Sequence, residues 1–133
     1  SYERNYNYAS DLINFDIICL NNISKNFESR SSYGGKKLLL SIKSVSNHTA
    51  LIRFSYDFFS DNIYINYVDI KIYFDSKQVE VLNTKRLMHN IDHKNIQKFH
   101  NIRLSRWYKS YFLSLWLSNC IENGYSFDTH SEV

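Results

Sequence analysis

His89 and His93 stand four residues apart, with Asp92 between them and His100 further on. On a helix that step brings two imidazoles to one face, as a zinc ion requires. The stretch lacks a His-Glu-x-x-His pattern and any clear helical period, so a solvated, histidine-rich loop is expected and no metal site. Cys120 could in principle act as a nucleophile. It lies among Trp116, Leu117 and Ile121 on an apolar helix, where a thiol behaves as a small inert hydrophobe. Asp75 and Glu80 are too far apart across their hairpin to work as a direct acid–base pair, and Asp75 is a good turn residue. No nucleophile–base or metal set emerges. The expectation leans against an enzyme, and no cofactor is expected.

Binding chemistry is better represented. Lys85, Arg86, Arg103, Arg106 and Lys109 interleave with Trp107, Tyr108 and Tyr111. Cations that contact phosphates beside stacking rings are what a nucleotide- or RNA-binding surface needs. The plain alternative is that Trp107 and Tyr108 pack on a sheet while the cations stay solvated. A net charge of +3 is compatible with nucleic acid but far from a concentrated basic patch. Ser110, Ser114 and Ser118 form a row of small residues. It reads either as an exposed stripe or as a place where another helix approaches, for example across a two-fold homodimer.

The remaining composition bounds the class. A chain of 133 residues fits one domain, and 44% hydrophobic with 17% aromatic residues is enough to build a core. Proline is absent, so turns must be marked by Gly, Asn, Asp and Ser. The two cysteines, Cys19 and Cys120, have no Cys-x-x-Cys spacing, which argues against a disulfide framework and for a reducing cytoplasm. No 18-residue apolar run and no signal-peptide pattern is seen, so no membrane association is expected. Two glycosylation sequons, at Asn22 and Asn47, then read as chance matches.

These residues must be held by a small set of elements. Tyr6, Ala9 and Ile13 recur at helical spacing and predict a helix over 1–13. The apolar run 15–20 fits either an extension of that helix or a strand. A first strand is expected near 27–33. Gly34-Gly35 then reads as a hairpin turn, because both positions tolerate positive φ. Leu38, Leu40 and Ile42 alternate with polar residues, and after a turn at Asn47-His48 so do Ala50, Ile52, Phe54, Tyr56 and Phe58. Asp61-Asn62 begins a loop before a strand through Val68, Ile70, Ile72 and Phe74. With Asp75-Ser76 as a two-residue turn, Ile72 faces Val79, Ile70 faces Val81, Lys71 faces Glu80 and Tyr73 faces Gln78. A one-residue slip would scramble both faces. Residues 85–104 read as an irregular connection. A helix over 105–123 follows, with Ser105 as its cap, Tyr108, Phe112, Leu115, Trp116 and Ile121 as its apolar positions, and Gly124 as its stop. The expected fold class is α+β: an N-terminal helix, an antiparallel meander of about four to five strands over 27–84, and a C-terminal helix packed on the sheet, all in a single domain over 1–133.

The segment Phe112-Leu113-x-x-Trp116-Leu117-x-x-Cys120-Ile121-x-x-Gly124 resembles the closing helix of the YqiB-like family, small uncharacterised proteins of gammaproteobacteria. Glu3-x-Asn5-Tyr6 is similar to that family's N-terminal Glu-x-Asn-aromatic motif. The run from Lys71 through Glu80-Val81 is similar to its Arg-Leu-Tyr-His-Asp-Ala…Glu-Val hairpin. The chain departs from the pattern where Leu104-Ser105-Arg106-x-Tyr108-x-Ser110 stands for a polar Asp-Glu-Lys-x-Gln-x-Asn stretch and keeps only the basic position, where the family's Pro-containing stretch before it is lost, and where Phe74 replaces a histidine. The resemblance implies no catalytic residue. Genes of the family often lie beside enzymes that hydrolyse ADP-sugars and cyclic nucleotides, a link to nucleotide metabolism. The polar positions matching its motifs are Glu3, Asn5, Lys71, Tyr73 and Glu80. They make up the expected site of a non-enzymatic binding or adaptor protein, its partner a protein or a second copy. The alternative expectation is a nucleotide- or RNA-binding regulator using the basic and aromatic residues near the last helix.

Overall fold

The computed structural model describes residues 2–19, 25–32, 36–56, 67–85 and 102–133. Helix α1 spans Tyr2–Leu12, and a single-turn helix α2 spans Asp16–Cys19. Five strands follow: β1 Asn26–Arg30, β2 Lys37–Val45, β3 Thr49–Tyr56, β4 Tyr67–Tyr73 and β5 Gln78–Lys85. Helix α3 spans Ile102–Glu122, and a short 3₁₀ turn covers Thr129–Ser131. The strands form one antiparallel sheet in the order β1-β2-β3-β4-β5. This is the α+β meander between two helices that the alternating pattern predicts.

The alternation decides which face is covered. Leu38, Leu40, Ile42, Ala50, Ile52, Phe54, Val68, Ile70, Ile72 and Val79 are all at most 1% exposed. They meet Ala9, Leu12, Ile17 and Ile18 from the N-terminal helices, and Leu113, Trp116, Leu117 and Cys120 from α3. Successive side chains of a strand point to opposite faces, so the helices lie on one face and the polar set occupies the other. Phe54 is the centre of this core, with ring centroids 5.4 Å from Trp116 and 6.0 Å from Phe127. Tyr6, Phe15 and Phe74 make a smaller edge-to-face row at its margin.

The β4–β5 hairpin has the register read from the sequence, pair for pair. Its turn differs. The strands stop at Tyr73 and Gln78, so four residues make the connection, and Lys77 takes a left-handed φ of 54°. Such loops are built around a type I turn, and they leave the same residues opposed as a two-residue turn would. Phe74 therefore belongs to the turn and not to the strand.

Further along the chain other boundaries shift. The first strand ends at Arg30. The apolar run after α1 is the short helix α2 and not a strand. Lys85 belongs to β5 and α3 begins at Ile102, so both ends of the expected irregular connection are in regular elements, and residues 86–101 lie outside the described residues. Ser105 is inside the helix and cannot be its cap. Gly34-Gly35, Phe58, the Asp61-Asn62 loop, Arg86, His89, His93 and His100 lie outside the described residues. Each of β2 and β5 carries one extra residue, Lys43 and Leu82, at a bulge in its pairing.

The largest correction concerns the serine row. Ser110 and Ser114 are only 7% exposed, and the helix that approaches them is α1 of the same chain. The outward ridge of α3 is instead Trp107, Tyr111 and Leu115, which are 63%, 50% and 53% exposed.

Candidate functional site

The predicted site residues separate into two layers. Asn5 is fully buried between α1 and α3. Its Nδ2 donates to the Ser110 carbonyl at 2.9 Å and to the Ser110 hydroxyl at 3.1 Å, and its Oδ1 accepts from the Ser114 hydroxyl. A buried amide with its donors and acceptor engaged is a clamp between helices. Glu3, in the first turn of α1, is exposed on the same layer. Neither is brought to the hairpin face.

Lys71, Tyr73 and Glu80 do come together on the open side of the sheet. The Tyr73 hydroxyl donates to Glu80 Oε2 at 2.9 Å, and Lys71 Nζ lies 5.2 Å from the centre of the Tyr73 ring. The hydrogen bond to Glu80 raises the Tyr73 pKa above its ordinary value near 10, with burial and the carboxylate charge acting in the same direction. The neutral phenol is the form that is stabilised. That contribution is present below about pH 10 and is lost as pH rises through the raised folded value. In an ultraviolet titration Tyr73 is expected to ionise late, and Glu80→Gln to return it towards the ordinary range. A Tyr73 signal unmoved by that substitution would remove the contact from the account.

The same face carries a larger constellation that sequence reasoning missed. The strand registers align Asn26, Ser41, Arg53, Asp69 and Asn83 in one row across all five strands. Arg53 Nε and Nη2 donate to Asp69 Oδ1 and Oδ2 at 2.6 and 2.9 Å, a two-pronged fork. Asp69 is only 7% exposed, so without this partner its charge would be expensive to keep there. The hydrogen bonds that Arg53 donates to Asp69, and then the carboxylate's charge, hold the Arg53 pKa above an already high value against the opposing effect of burial. The guanidinium also lies 4.0 Å from the centre of the Tyr67 ring. Ser41 closes the row at the other side with a 2.8 Å bond to Asn26 Oδ1. The only sequence signal was that Arg53 and Asp69 both fall on the polar phase of their strands. Pairing them requires the β3–β4 register, which joins residues sixteen apart in the sequence.

The basic and aromatic set is placed less compactly. Lys85 ends β5 opposite Tyr67, while Arg103, Arg106, Trp107 and Lys109 belong to the first turns of α3. Trp107 does not pack on the sheet: it faces outward and stacks on Tyr111, with ring planes 3° apart and centroids at 5.6 Å. Cys120 is 1% exposed, so its thiol is out of reach of a substrate. A shallow cleft of about 400 Å³ lies between residues 10–15 and 126–128, away from both surfaces. Among the described residues no group of three or more His, Cys, Asp and Glu side chains is arranged to hold a metal.

Fold and site together define a two-layer α+β domain, with helices on one face of a meander sheet and a cross-linked polar surface on the other. Residues 19–126 match the family described as a protein of unknown function (DUF1249), and the chain belongs to that family. The match starts after Glu3 and Asn5, so it covers the polar row and the Ser110 and Ser114 side of the helix clamp but not Asn5 itself. No curated protein and no solved structure matches the chain.

Proposed function

We propose that this chain is a non-enzymatic binding domain that presents the open polar face of its sheet to a protein partner in the cytoplasm. The observation that carries the reading is the Asn26–Ser41–Arg53–Asp69–Asn83 row, flanked by the Lys71–Tyr73–Glu80 contacts. Among the described residues no helix covers this face. Isolated surface charges are cheap and mobile, whereas these are fixed by forks, ring contacts and hydrogen bonds. A pre-ordered polar surface loses little side-chain entropy when a partner docks.

Its size also fits a protein. Strands about 4.8 Å apart and about seven residues long give a flat patch of roughly 500 Å², and its accessible area, with side chains, is larger. A standard interface uses about 800 Å² per partner. A small ligand would need a concave site, and the described cleft is elsewhere. The buried free thiol of Cys120 is consistent with a reducing compartment. No helix among the described residues is long and apolar enough to cross a membrane. The YqiB-like resemblance, with its gene neighbours, suggests a partner among enzymes of nucleotide metabolism.

Native-lysate affinity purification tests this. The wild-type chain is expected to retain a stoichiometric protein partner. Tyr67→Ala and Lys71→Glu are expected to lose it while keeping wild-type thermal stability within a few degrees. Glu3→Gln, on the helix layer, is expected to keep it. Equal retention by the open-face variants, or no partner with any of them, would count against the proposal.

A further inference from the structure

We infer that the partner docks on the open face through carboxylates, with a Glu- or Asp-bearing protein segment seated between Arg53 and Lys71. The inference rests on the reading of that face as the binding surface and adds the chemistry of what binds it. Charge is sorted between the two layers. Ile42 points inward, so Lys43 beside it points to the open face, as do Arg30, Lys37, Arg53 and Lys71. These five cations share the face with three carboxylates, Glu28, Asp69 and Glu80. The other described side chains, histidines apart, carry five cations and seven carboxylates. Among the described residues the excess positive charge is therefore on the open face.

The carboxylates of the face are already engaged. Glu28 pairs with Lys37 at 2.9 Å, Asp69 with Arg53, and Glu80 accepts from the Tyr73 hydroxyl. The cations are not used up. Lys71 stands directly across from Glu80, yet its ammonium makes no ion pair among the described residues and lies against the Tyr73 ring instead. Arg30 and Lys43 are exposed and also have no ion-pair partner among the described residues. The fork to Asp69 uses Nε and Nη2 of Arg53. Nη1, with two hydrogens, has no acceptor among the described residues.

Arg53 faces Asp69 and Leu51 faces Lys71, so Arg53 and Lys71 are diagonal neighbours, roughly 7–8 Å apart. The Tyr67 and Tyr73 rings hold the two cationic heads in place. Two fixed donors at that spacing suit one carboxylate that accepts from both. Nucleic acid fits less well. Bases stack on open ring faces, and Tyr67 and Tyr73 each already carry one of these cations.

Titration of the full chain with decaglutamate, decalysine and an oligouridylate, followed by amide chemical shifts, tests the assignment. At low salt decaglutamate is expected to move the Arg53, Tyr67 and Lys71 amides, and decalysine to leave them in place. Raising the salt to about 200 mM should weaken decaglutamate binding several-fold, because surface charges are then screened within about 10 Å. Lys71→Gln is expected to weaken it about 5-fold, the worth of one charge pair near 4 Å in water. Lys109→Gln, which removes the same charge from α3, should leave it within about 2-fold. No shifts with decaglutamate, equal shifts with decalysine, shifts confined to the helix layer, or tighter binding of the oligouridylate would overturn the inference. So would a lysate partner that wild type and Lys71→Gln retain equally at about 300 mM salt. That last result would leave the open face as the binding surface and remove the acidic contact alone.

Discussion

Asn5→Asp is expected to cost roughly 3 kcal/mol or more at neutral pH and much less near pH 4. The Asn5 amide is fully buried and donates to the Ser110 carbonyl and hydroxyl while accepting from Ser114. A carboxylate would set a negative oxygen against the Ser110 carbonyl at a fully buried position, where an unpaired charge is expensive. The acid escapes by keeping its proton, which can then donate where the amide did. Its folded pKa would therefore lie above the unfolded value of about 3.9. The folded state then holds a proton that the unfolded chain releases, so stability falls as pH rises from about 4 through the raised folded value. Asn5→Leu removes the hydrogen bonds without adding charge and should cost about 2–3 kcal/mol at both pH values. Urea unfolding of the two variants at pH 4 and pH 7 separates them. Equal, pH-independent costs would mean that Asn5 is not the clamp described.

Gly124→Ala is expected to destabilise by about 2–4 kcal/mol, although the residue is at the surface. Gly124 stops α3 with φ of 85°, a conformation that costs a residue with a Cβ about 1 kcal/mol. The larger part comes from its neighbour. A Cβ there would fall 2.0 Å from Ser32 Oγ, 2.7 Å from Ser32 Cβ and 3.2 Å from the Ser32 nitrogen. The hydroxyl can rotate away; the other two atoms cannot. Separation of the segments would loosen two bonds to the Asn123 carbonyl, from the Ser32 amide at 3.0 Å and the Ser31 hydroxyl at 2.9 Å. Thermal unfolding of Gly124→Ala with and without Ser32→Gly gives the coupling. The pair together should lose less than the sum of the single changes, and strict additivity would place the cost in the backbone angle alone.

The parts of this architecture that were legible in the sequence were those with local determinants. The hairpin register followed from four matched pairs around one turn, and the stop of α3 followed from one glycine. The partition of α3 into faces was not legible. Ser110, Ser114 and Ser118 resembled a solvent stripe because an isolated helix sequence carries no record of Asn5, more than a hundred residues away. Leu115 resembled a core position for the same reason. Asn5 itself was noticed only through a motif resemblance, and nothing in the motif distinguished a buried clamp from a ligand contact. The Arg53–Asp69 fork depended on the β3–β4 register, which joins two residues sixteen apart whose types alone do not say that they face each other.

The two layers consequently have different work. The helix layer holds the sheet, through the Asn5 clamp, the Phe54 cluster and the Gly124 junction. The opposite face is held rigid by its own polar cross-links and carries the proposed recognition.

Site-specific photo-crosslinking in cells tests that division most directly, with a photoreactive amino acid placed at Ser55 on the open face and, separately, at Glu3 on the helix layer. Ser55 lies next to Arg53 on β3 and pairs with Tyr67, so it samples the proposed interface without removing any of its contacts. The account predicts one discrete protein adduct from Ser55, lost when Lys71→Glu is added, and none of that mass from Glu3. A discrete adduct from Glu3 with none from Ser55 would contradict it.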